Sequence, residues 1–351
     1  MANSDSNRNV VSIGTACEFT ISIIICTCNR AASLKRTLEA LDETRIPEAW
    51  KVEVIVVDNC STDGTKQVVG KARLSRMELR YVYEPKKGKG NAYNAGLSSA
   101  LGEIIIFTDD DALPCEEWVE KLGNALLGGK YDAVTGRIVL AGCLMRPWLT
   151  AEHRWWLGSS DDAKVWNGTR ELIGCNMGFR REVLETLPAF DPELGPGGLG
   201  FGDDGLFGFQ LCEAGFRIGY VPEACVVHDF DVSRLTREHW LDAAAKRGRT
   251  EAYLSYHWVH SDIRFARLKW LLSAIKLQVR RILQPQLPLQ SEGCSLWEMS
   301  HVLYMEKCRH FCVERQRARN FSVRGLTKIG LVRKPAIEEG RPEEAVSNSV
   351  L

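Results

Sequence analysis

Hydrophobic residues in the first third of the chain fall into short, nearly unbroken runs, and segments with helical spacing separate these runs. The run at 20–28 is rich in β-branched residues, which is typical of a strand buried on both faces. The pattern predicts strands at 20–28, 52–57, 79–83 and 103–108 and helices near 31–43, 65–75 and 90–101. This alternation of strand and helix predicts an α/β fold with a parallel sheet that has helices on both faces.

The pattern changes after residue 126. Residues 126–235 are richer in Trp and Gly, with strands predicted at 132–140 and 217–221 and helices at 181–187 and 204–214. The following region is helical and basic, because residues 262–334 carry 15 Lys or Arg against 5 Asp or Glu. We therefore expect a flexible leader at 1–18, two halves of a main domain at 19–125 and 126–235, a basic helical extension at 236–334 and a disordered tail at 335–351.

Composition narrows the class of protein. The 351 residues include 45 basic and 45 acidic side chains, and this neutrality argues against a general nucleic-acid binder. The 12 cysteines form no CxxC pair, which argues against a zinc ribbon or a thioredoxin-type site. No signal-peptide pattern and no apolar run of about 20 residues occurs, so we expect reduced thiols and a cytoplasmic location.

Polar clusters follow three of the predicted strands directly, at 27–30, 58–63 and 109–111. Ligands of parallel sheets bind beyond the carboxyl ends of the strands. The carboxylates of Asp109, Asp110 and Asp111 repel one another unless a cation such as Mg²⁺ neutralises them. Strand alternation would direct Asp109 and Asp111 to one ligand and Asp110 elsewhere. The alternative is a solvated acidic turn.

Further polar groups suit a nucleotide ligand. Asp58 could accept hydrogen bonds from a nucleobase or ribose, while residues 61–63 could equally cap a helix. The loop 86–91 joins glycines to three lysines and could meet a diphosphate, although such a loop is often only solvated. The chain has no GxxxxGK[ST] motif and no GxGxxG after the first strand, which argues against a P-loop protein and a dinucleotide-dependent dehydrogenase.

The glycine-dense loop at 195–202 is expected to be mobile and leads into Asp203 and Asp204. A carboxylate in that position could act as a general base, and helix capping is the alternative. His228 closes another apolar run, where a lone histidine is more often structural than a ligand.

Six segments together resemble the family 2 glycosyltransferases of the GT-A fold, over roughly residues 20 to 232. Their order and spacing carry the resemblance. The segments are ICTCNR (25–30), VVDNCSTDGT (56–65), GKGNAYNAGL (88–97), FTDDDALP (107–114), GCNMGFRREVL (174–184) and GFGDDGLFGFQLCEAGFRIGYVPEACVVH (200–228).

The resemblance implies a GT-A type α/β fold, whose mostly parallel central sheet is flanked by helices and followed by a helical C-terminal extension. It implies an inverting transfer from a nucleotide-diphosphate sugar with Mg²⁺ or Mn²⁺ as cofactor, the donor bound by 19–125 and the acceptor by 126–235. The nucleotide-sugar contacts that it implies are Thr27, Asn29, Arg30, Asp58, Lys89, Asn94, Asp109 and Asp110, and Gly96 lies in the same donor-side segment as Lys89 and Asn94. The implied metal ligands are Asp109, Asp111 and His228. The implied catalytic residues are Asp203 and Asp204, with Asp204 as the general base. This chain departs from the family pattern at three positions. Asp203-Asp204 replaces the family's Glu-Asp pair, Leu206 stands where the family often has an acidic residue, and Gln210 stands where Arg is frequent. These departures leave the acceptor type open.

Two features bear on the acceptor, which the resemblance leaves as a glycan, a lipid-linked envelope component or a small molecule. Trp148, Trp155, Trp156 and Trp166 could stack on a sugar or line a lipid-facing groove, or could simply pack in a core. Residues 262–284 form a basic amphipathic pattern. Such a helix could lie on the inner face of an anionic membrane, or it could pack on the catalytic domain with its basic side in water.

Two other functions remain open. A sugar-nucleotide pyrophosphorylase has a related sheet, but it would need a glycine-rich basic loop after the first strand, which ICTCNR lacks. The chain could also be a catalytically silent nucleotide-sugar-binding module. The presence of both Asp111 and Asp204 argues against a silent module.

Overall fold

The computed structural model describes residues 19–161, 171–187 and 189–330, so the expected leader and tail lie outside the described residues. One eight-stranded sheet forms the centre of the molecule. Its strands are β1 Phe19–Thr27, β2 Val52–Asp58, β3 Met77–Tyr83, β4 Gly102–Asp109, β5 Ala112–Pro114, β6 Ala133–Leu140, β7 Asn176–Arg180 and β8 Ile218–His228. They lie in the order β3-β2-β1-β4-β7-β6-β8-β5.

Helices cover the sheet and form the C-terminal extension. They are α1 Ala31–Asp42, α2 Thr65–Lys71, α3 Lys89–Ser99, α4 Trp118–Leu127, α5 Ala151–Trp156, α6 Asp203–Glu213, α7 Arg237–Tyr253, α8 Ala266–Leu283 and α9 Leu296–Glu314. Short 3₁₀ turns occupy Gly142–Leu144, Arg181–Glu185 and Val232–Leu235, and a π turn at Leu254–Trp258 continues α7.

The sheet is mixed. Strands β1, β2, β3 and β4 are mutually parallel, and β6 runs parallel to β8. Strand β7 is antiparallel to both β4 and β6, and β5 is antiparallel to β8. Four of these seven pairings are parallel, so the prediction of a mostly parallel sheet holds by a narrow margin. Because β4 pairs with β7, the two expected halves of the main domain share one continuous sheet.

The core explains the unbroken apolar runs. Ile23 on β1 packs with Leu38 of α1 and Leu122 of α4 on one face, whereas Ile24 packs with Tyr93 of α3 on the other. Strand β1 is therefore covered by helices on both faces, as the first apolar run predicts.

The structure also corrects the predicted elements. Strands β5 and β7 and helix α4 were not predicted, and the helix expected at 181–187 is a 3₁₀ turn. The strand expected at 217–221 continues to His228 across Pro222, and the ladder with β6 shifts register between Gly136 and Arg137. Short strands of mixed composition have no periodic signature, and an internal proline argues against a strand, so the sequence pattern missed both.

The extension at 236–330 is helical, as predicted. Trp240 of α7, Leu277 of α8 and Met299 of α9 share a buried cluster with Leu140 of β6, which joins the extension to the main domain. None of the described helices has the length and apolar character needed to cross a bilayer. All the described cysteines are free thiols.

Candidate active site

The ends of the central strands bring the predicted polar clusters together. In the ladders beside β1, Thr27 lies opposite Asp58 and Cys26 lies opposite Asp109. The clusters at 27–30, 58–63 and 109–111 therefore meet at one edge of the sheet, as the strand pattern predicts.

Three adjacent carboxylates dominate this edge. Strand β4 ends at Asp109, whose Oδ1 accepts a hydrogen bond of 2.7 Å from Lys89 Nζ. The chain then turns, and Arg30 Nη1 binds both Asp110 Oδ1 (3.0 Å) and Asp111 Oδ2 (2.8 Å). Strand alternation does not extend to Asp110 and Asp111, because β4 ends at Asp109, and the grouping of Asp109 with Asp111 on one ligand stays a prediction.

The environment gives these carboxyl groups different acidities. Burial raises the pKa of Asp110 to about 6, against the lowering effect of the Arg30 guanidinium and the Thr27 hydroxyl, which donates to Asp110 Oδ2 at 2.7 Å. Burial would also raise the pKa of Asp111, but His228 and Arg30 outweigh it and hold that pKa below its usual range. The turn is a buried ionic cluster and not a solvated acidic turn.

Asp111 and His228 form a second contact, which the sheet imposes. Ala112 of β5 lies opposite His228 of β8, so the preceding Asp111 reaches the histidine. His228 Nε2 is 3.3 Å from Asp111 Oδ1, and that buried oxygen accepts no hydrogen bond from any residue that the structure describes. His228 Nδ1 lies 3.1 Å from the carbonyl of Leu157, which can only accept, so Nδ1 carries the proton. A protonated ring donates from Nε2 towards Asp111, which is the contact that lowers the pKa of Asp111. A neutral ring would instead present the Nε2 lone pair beside Asp111 Oδ1, and such a pair of lone pairs would fit a cation.

The predicted ligand set assembles only in part. Asp111 and His228 are neighbours, whereas Asp109 is paired with Lys89. Within the described ranges, no group of three or more His, Cys, Asp or Glu is arranged to hold a metal ion. A site with two protein ligands still suits Mg²⁺ or Mn²⁺, since such ions commonly take their remaining ligands from water and substrate phosphates.

Asp203 and Asp204 begin helix α6, after Gly202 in the left-handed conformation (φ 85°). Asp204 Oδ2 accepts a hydrogen bond from the amide of Gly174 and Oδ1 accepts one from Gly205, both at 2.7 Å. Asp203 is buried, and its Oδ2 has no hydrogen-bond partner among the described residues. Burial and the charge of Asp204 raise the pKa of Asp203 to about 7. Neither residue is the N-cap, which is Gly202, although the bond from Gly205 to Asp204 Oδ1 does satisfy one first-turn amide of the helix.

Asp204 and Lys89, the partner of Asp109, both lie beside the backbone of Gly174. A β-carbon at position 174 would lie 3.4 Å from Asp204 Oδ2 and 3.6 Å from Lys89 Nζ, and would collide with the Tyr93 hydroxyl. Burial raises the pKa of the Cys175 thiol, and the charges of Asp109, Asp111 and Asp204 raise it further. Lys89 thus links the surroundings of Asp204 to Asp109, although the two carboxylates are almost a hundred positions apart in the chain.

The Asp58 carboxylate and the Asn29 side-chain oxygen form hydrogen bonds within the protein. Asp58 is buried and accepts hydrogen bonds from the Tyr81 hydroxyl and the Ser61 amide, both at 2.8 Å. Asn29 Oδ1 accepts from the Thr62 amide at 2.7 Å and so fixes the adjacent loop.

The donor-side segment of α3 likewise supports the fold. The Asn94 side-chain amide forms two hydrogen bonds with the backbone of Phe190, of 2.9 and 2.8 Å. A β-carbon on Gly96 would lie 2.5 Å from Ile24 Cγ2, so this glycine allows α3 to approach the sheet closely.

The glycine-dense loop before α6 is closely packed in the structure. Its Pro196 carbonyl accepts a hydrogen bond of 2.8 Å from the Lys89 amide. A β-carbon on Gly197 would lie 2.7 Å from Gly88 Cα, and one on Gly202 would lie 2.6 Å from Thr250 Cγ2. The glycines therefore hold the loop against α3 and α7 and fix the approach of the chain to Asp204, where the sequence suggested a mobile loop.

The tryptophans divide into two groups, and Trp166 lies outside the described residues. Trp148 packs edge-on against Trp240 with ring centroids 6.3 Å apart, which agrees with the core-packing alternative. Trp155 and Trp156 both contact Arg247, whose guanidinium carbon lies 3.9 and 4.8 Å from their ring centroids.

Sequence reasoning missed two arginines. Arg234 Nη1 lies 3.9 Å from Asp111 Oδ2, and its guanidinium stacks over Phe230. Its position shortly after the end of β8 was a usable signal, since groups beyond strand ends collect at the site. Arg247 lies inside a helix with many charged residues, and nothing in its local pattern marks it.

Residues 22–187 match the family model described as glycosyl transferase family 2. Glycosyltransferase AglE of Haloferax volcanii is 32% identical over 119 residues, 34% of this chain and 39% of that protein. The succinoglycan biosynthesis protein ExoM of Rhizobium meliloti is 28% identical over 213 residues, 59% of this chain and 65% of that protein. The matches thus cover less than two thirds of these curated relatives.

A solved structure is similar along most of the chain. It is a mannosyltransferase from Pyrobaculum calidifontis in complex with GDP-Man and Mn²⁺, with a TM-score of 0.58 and 21% identity over 85% of this chain and 88% of that one. At this identity the likeness concerns the fold. Together with the observed sheet it confirms the predicted GT-A type α/β architecture.

Proposed function

The chain belongs to glycosyltransferase family 2, and on that premise we propose that it moves a sugar from a nucleotide-diphosphate sugar to an acceptor hydroxyl with inversion of the anomeric carbon. The observation that carries the proposal is that Asp204 and Lys89, which binds Asp109, both lie beside the backbone of Gly174. The acceptor in this proposal is a glycan, a lipid-linked envelope component or a small molecule.

The donor would lie at the strand ends, where cations and carboxylates alternate. Arg30, Lys89 and Arg234 surround the acidic turn, and a diphosphate is the ligand chemistry that such cations recognise. Asp110 accepts hydrogen bonds from both Thr27 and Arg30 and so orients the Arg30 guanidinium. The Pyrobaculum mannosyltransferase was solved with GDP-Man, a donor of this class.

A divalent cation would be held by Asp111 and His228. The buried, unpartnered Asp111 Oδ1 facing His228 Nε2 supports this assignment, and Mn²⁺ accompanies the donor in the Pyrobaculum structure. When bound, the ion would neutralise the negative charge that develops on the departing diphosphate. Asp109, which pairs with Lys89, is the carboxylate that we propose for the donor ribose.

Asp204 would accept the proton of the acceptor hydroxyl. Each of its carboxylate oxygens uses one lone pair for a backbone amide and keeps another free. The acceptor oxygen then bonds to the anomeric carbon, and the electron pair of the breaking carbon–oxygen bond leaves with the nucleoside diphosphate. One displacement inverts the anomeric centre. Proton NMR of the first product formed should show the configuration opposite to that of the donor, and retention would contradict a single displacement.

Donor binding can be tested by calorimetry with UDP-, GDP- and dTDP-sugars, with and without Mn²⁺. We expect one donor class to bind with a strong requirement for the ion, and Asp111→Asn to weaken this binding by about tenfold or more. Asp132→Asn is the matched control, because Asp132 pairs with Arg217 away from the site. Binding that ignores the metal in the wild type would contradict the proposed ion site. Binding without nucleotide release for any acceptor would favour a silent binding module.

We also propose that helix α8 lies on the surface of an anionic membrane. Its apolar residues Leu268, Leu271, Leu272, Ile275, Val279 and Ile282 follow helical spacing along one face, and each is at least 50% exposed. The residues that α8 buries, Ala266, Ser273 and Leu277, lie on the opposite face. The apolar stripe, and not a basic side, therefore points away from the protein.

Charge complements this stripe. Arg267, Lys269 and Lys276 are exposed at its flanks, and each such cation near an anionic surface contributes about 1 kcal/mol. Arg280 and Arg281 instead hold α8 to α9, the former stacked on Trp297 at 4.2 Å. An apolar stripe between cations is the arrangement that binds in the headgroup region of a bilayer.

Flotation of the full chain with vesicles tests this proposal. We expect flotation with vesicles rich in phosphatidylglycerol, weaker flotation with phosphatidylcholine alone, and loss of flotation in Leu272→Glu/Ile275→Glu. Leu101→Glu, at a comparably exposed apolar position outside the helix, should float like the wild type. The proposal fails if the intact chain does not float, or if the double variant instead abolishes a dimer detected by sedimentation.

A further inference from the structure

Arg247 of α7 is a cation that the proposed donor chemistry does not use. Its guanidinium lies against Trp155 and Trp156 of α5, at 3.9 and 4.8 Å from the ring centroids. Stacking on two indole rings restricts the plane of the guanidinium and so pre-organises its N–H donors.

The same stretch of α7 supports the loop that leads to Asp204. Gly200 packs against the Lys246 side chain and Gly202 against Thr250, whose hydroxyl donates to the Phe201 carbonyl at 3.1 Å. Arg247 lies between these two contact residues in the sequence. Burial lowers the pKa of its guanidinium, and the charges of Glu251, Glu171 and Asp204 oppose this effect.

In the part of the chain that the structure describes, Arg247 forms no hydrogen bond or ion pair. Arg30 and Arg234 engage Asp111, and Arg36 binds Asp229. Glu251, one turn along α7, is already paired with Lys307 at 2.9 Å. A partly desolvated guanidinium that no carboxylate of the described residues binds directly is expected to bind the anion of a ligand.

We propose that Arg247, Trp155 and Trp156 form an acceptor subsite that recognises a sugar bearing an anionic group, a phosphate or a carboxylate, beside the hydroxyl that Asp204 deprotonates. The guanidinium fork binds the anion, and the half-exposed face of Trp155 packs on the sugar ring. This inference rests on the proposed transferase function and narrows its acceptor class.

The experiment compares glucose 6-phosphate, glucuronic acid and neutral methyl glucoside as probes, with calorimetric binding and nucleotide release as readouts in the presence of the bound donor. We expect the wild type to favour at least one anionic probe by about tenfold or more, the contribution of a charge-assisted contact. Comparison of glucose 6-phosphate with glucuronic acid shows whether the subsite prefers a phosphate or a carboxylate.

Three variants complete the test. Arg247→Met should lose the preference for the anionic probe, and Arg247→Lys should keep only part of it because the fork is lost. Arg249→Met, two positions along the same helix, should behave like the wild type. Thermal melts of each variant separate loss of folding from loss of binding.

The inference is overturned if no anionic probe is preferred, or if Arg247→Met keeps the preference. It is also overturned if Arg247→Met weakens the neutral and anionic probes equally, which would make Arg247 a positioning residue for Asp204. Donor affinity is measured in the same preparations. Failure of donor binding would overturn the proposed function itself, whereas donor binding without the Arg247-dependent preference overturns only the acceptor subsite.

Discussion

The buried carboxyl group of Asp203 should make the stability of the protein depend on pH in an unusual direction. Asp203 is 5% exposed, lies beside Asp204 and has an oxygen without a partner. Burial and the neighbouring charge raise its pKa from 3.8 to about 7. Between these two values the folded protein holds a proton that the unfolded chain releases.

The sign of the effect follows from this difference. Below pH 4 the Asp203 carboxyl group becomes protonated in both the folded and the unfolded state, and the protein keeps its full stability relative to high pH. As the pH rises through the window to about 7, that stabilisation is lost, with a slope of about 1.4 kcal/mol per pH unit and a total of about 4 kcal/mol. Asp203→Asn removes the titrating group. Its free energy of unfolding, relative to the wild type, should therefore increase from pH 4 to pH 8 by up to about 4 kcal/mol.

Urea unfolding followed by circular dichroism between pH 4.5 and 8.5 measures the effect. Asp132→Asn is the control, because hydrogen bonds from Arg217 lower the pKa of Asp132 and keep it ionised in both states above pH 5. That variant should shift the stability curve without changing its slope. Parallel curves for Asp203→Asn and the wild type between pH 5 and 8 would refute the reasoning.

Two further predictions concern the support of the site. Asn94→Ala should lower the free energy of unfolding by about 1–3 kcal/mol, because it removes both hydrogen bonds to the Phe190 backbone; an unchanged urea midpoint would contradict this role. Gly195→Ala should destabilise the protein in the same assay, since φ is 74° and a β-carbon would lie 2.7 Å from the Asp203 carboxyl carbon. Gly70→Ala, in α2 with no atom within 4 Å of the new β-carbon, should instead stabilise by about 0.5–1 kcal/mol, and equal effects would contradict the steric argument.

The sequence predicted the part of the fold that depends on periodicity. The first four strands and the helices between them were placed within a few residues, because each buried strand is a continuous apolar run. Strand β7 and the three-residue β5 were missed, although β5 is the element that brings Asp111 beside His228. Pairing between distant short strands leaves no local signal.

The candidate site shows the same division. Motif spacing identified Asp109, Asp111 and Asp204. In the structure Asp204 and Lys89, the partner of Asp109, lie beside Gly174, and Asp111 lies beside His228. The partners of Asp58 and Asn94 could not be foreseen, since Tyr81 and Phe190 reach them only through tertiary contacts.

Asp204, held by the amides of Gly174 and Gly205, is the group that we propose to remove the acceptor proton. Single-turnover transfer by Asp204→Asn, with donor affinity measured on the same preparation, tests this proposal most directly. The account predicts intact donor binding and transfer slower by at least about 100-fold. Transfer at a rate close to that of the wild type, with the donor fully bound, would contradict it.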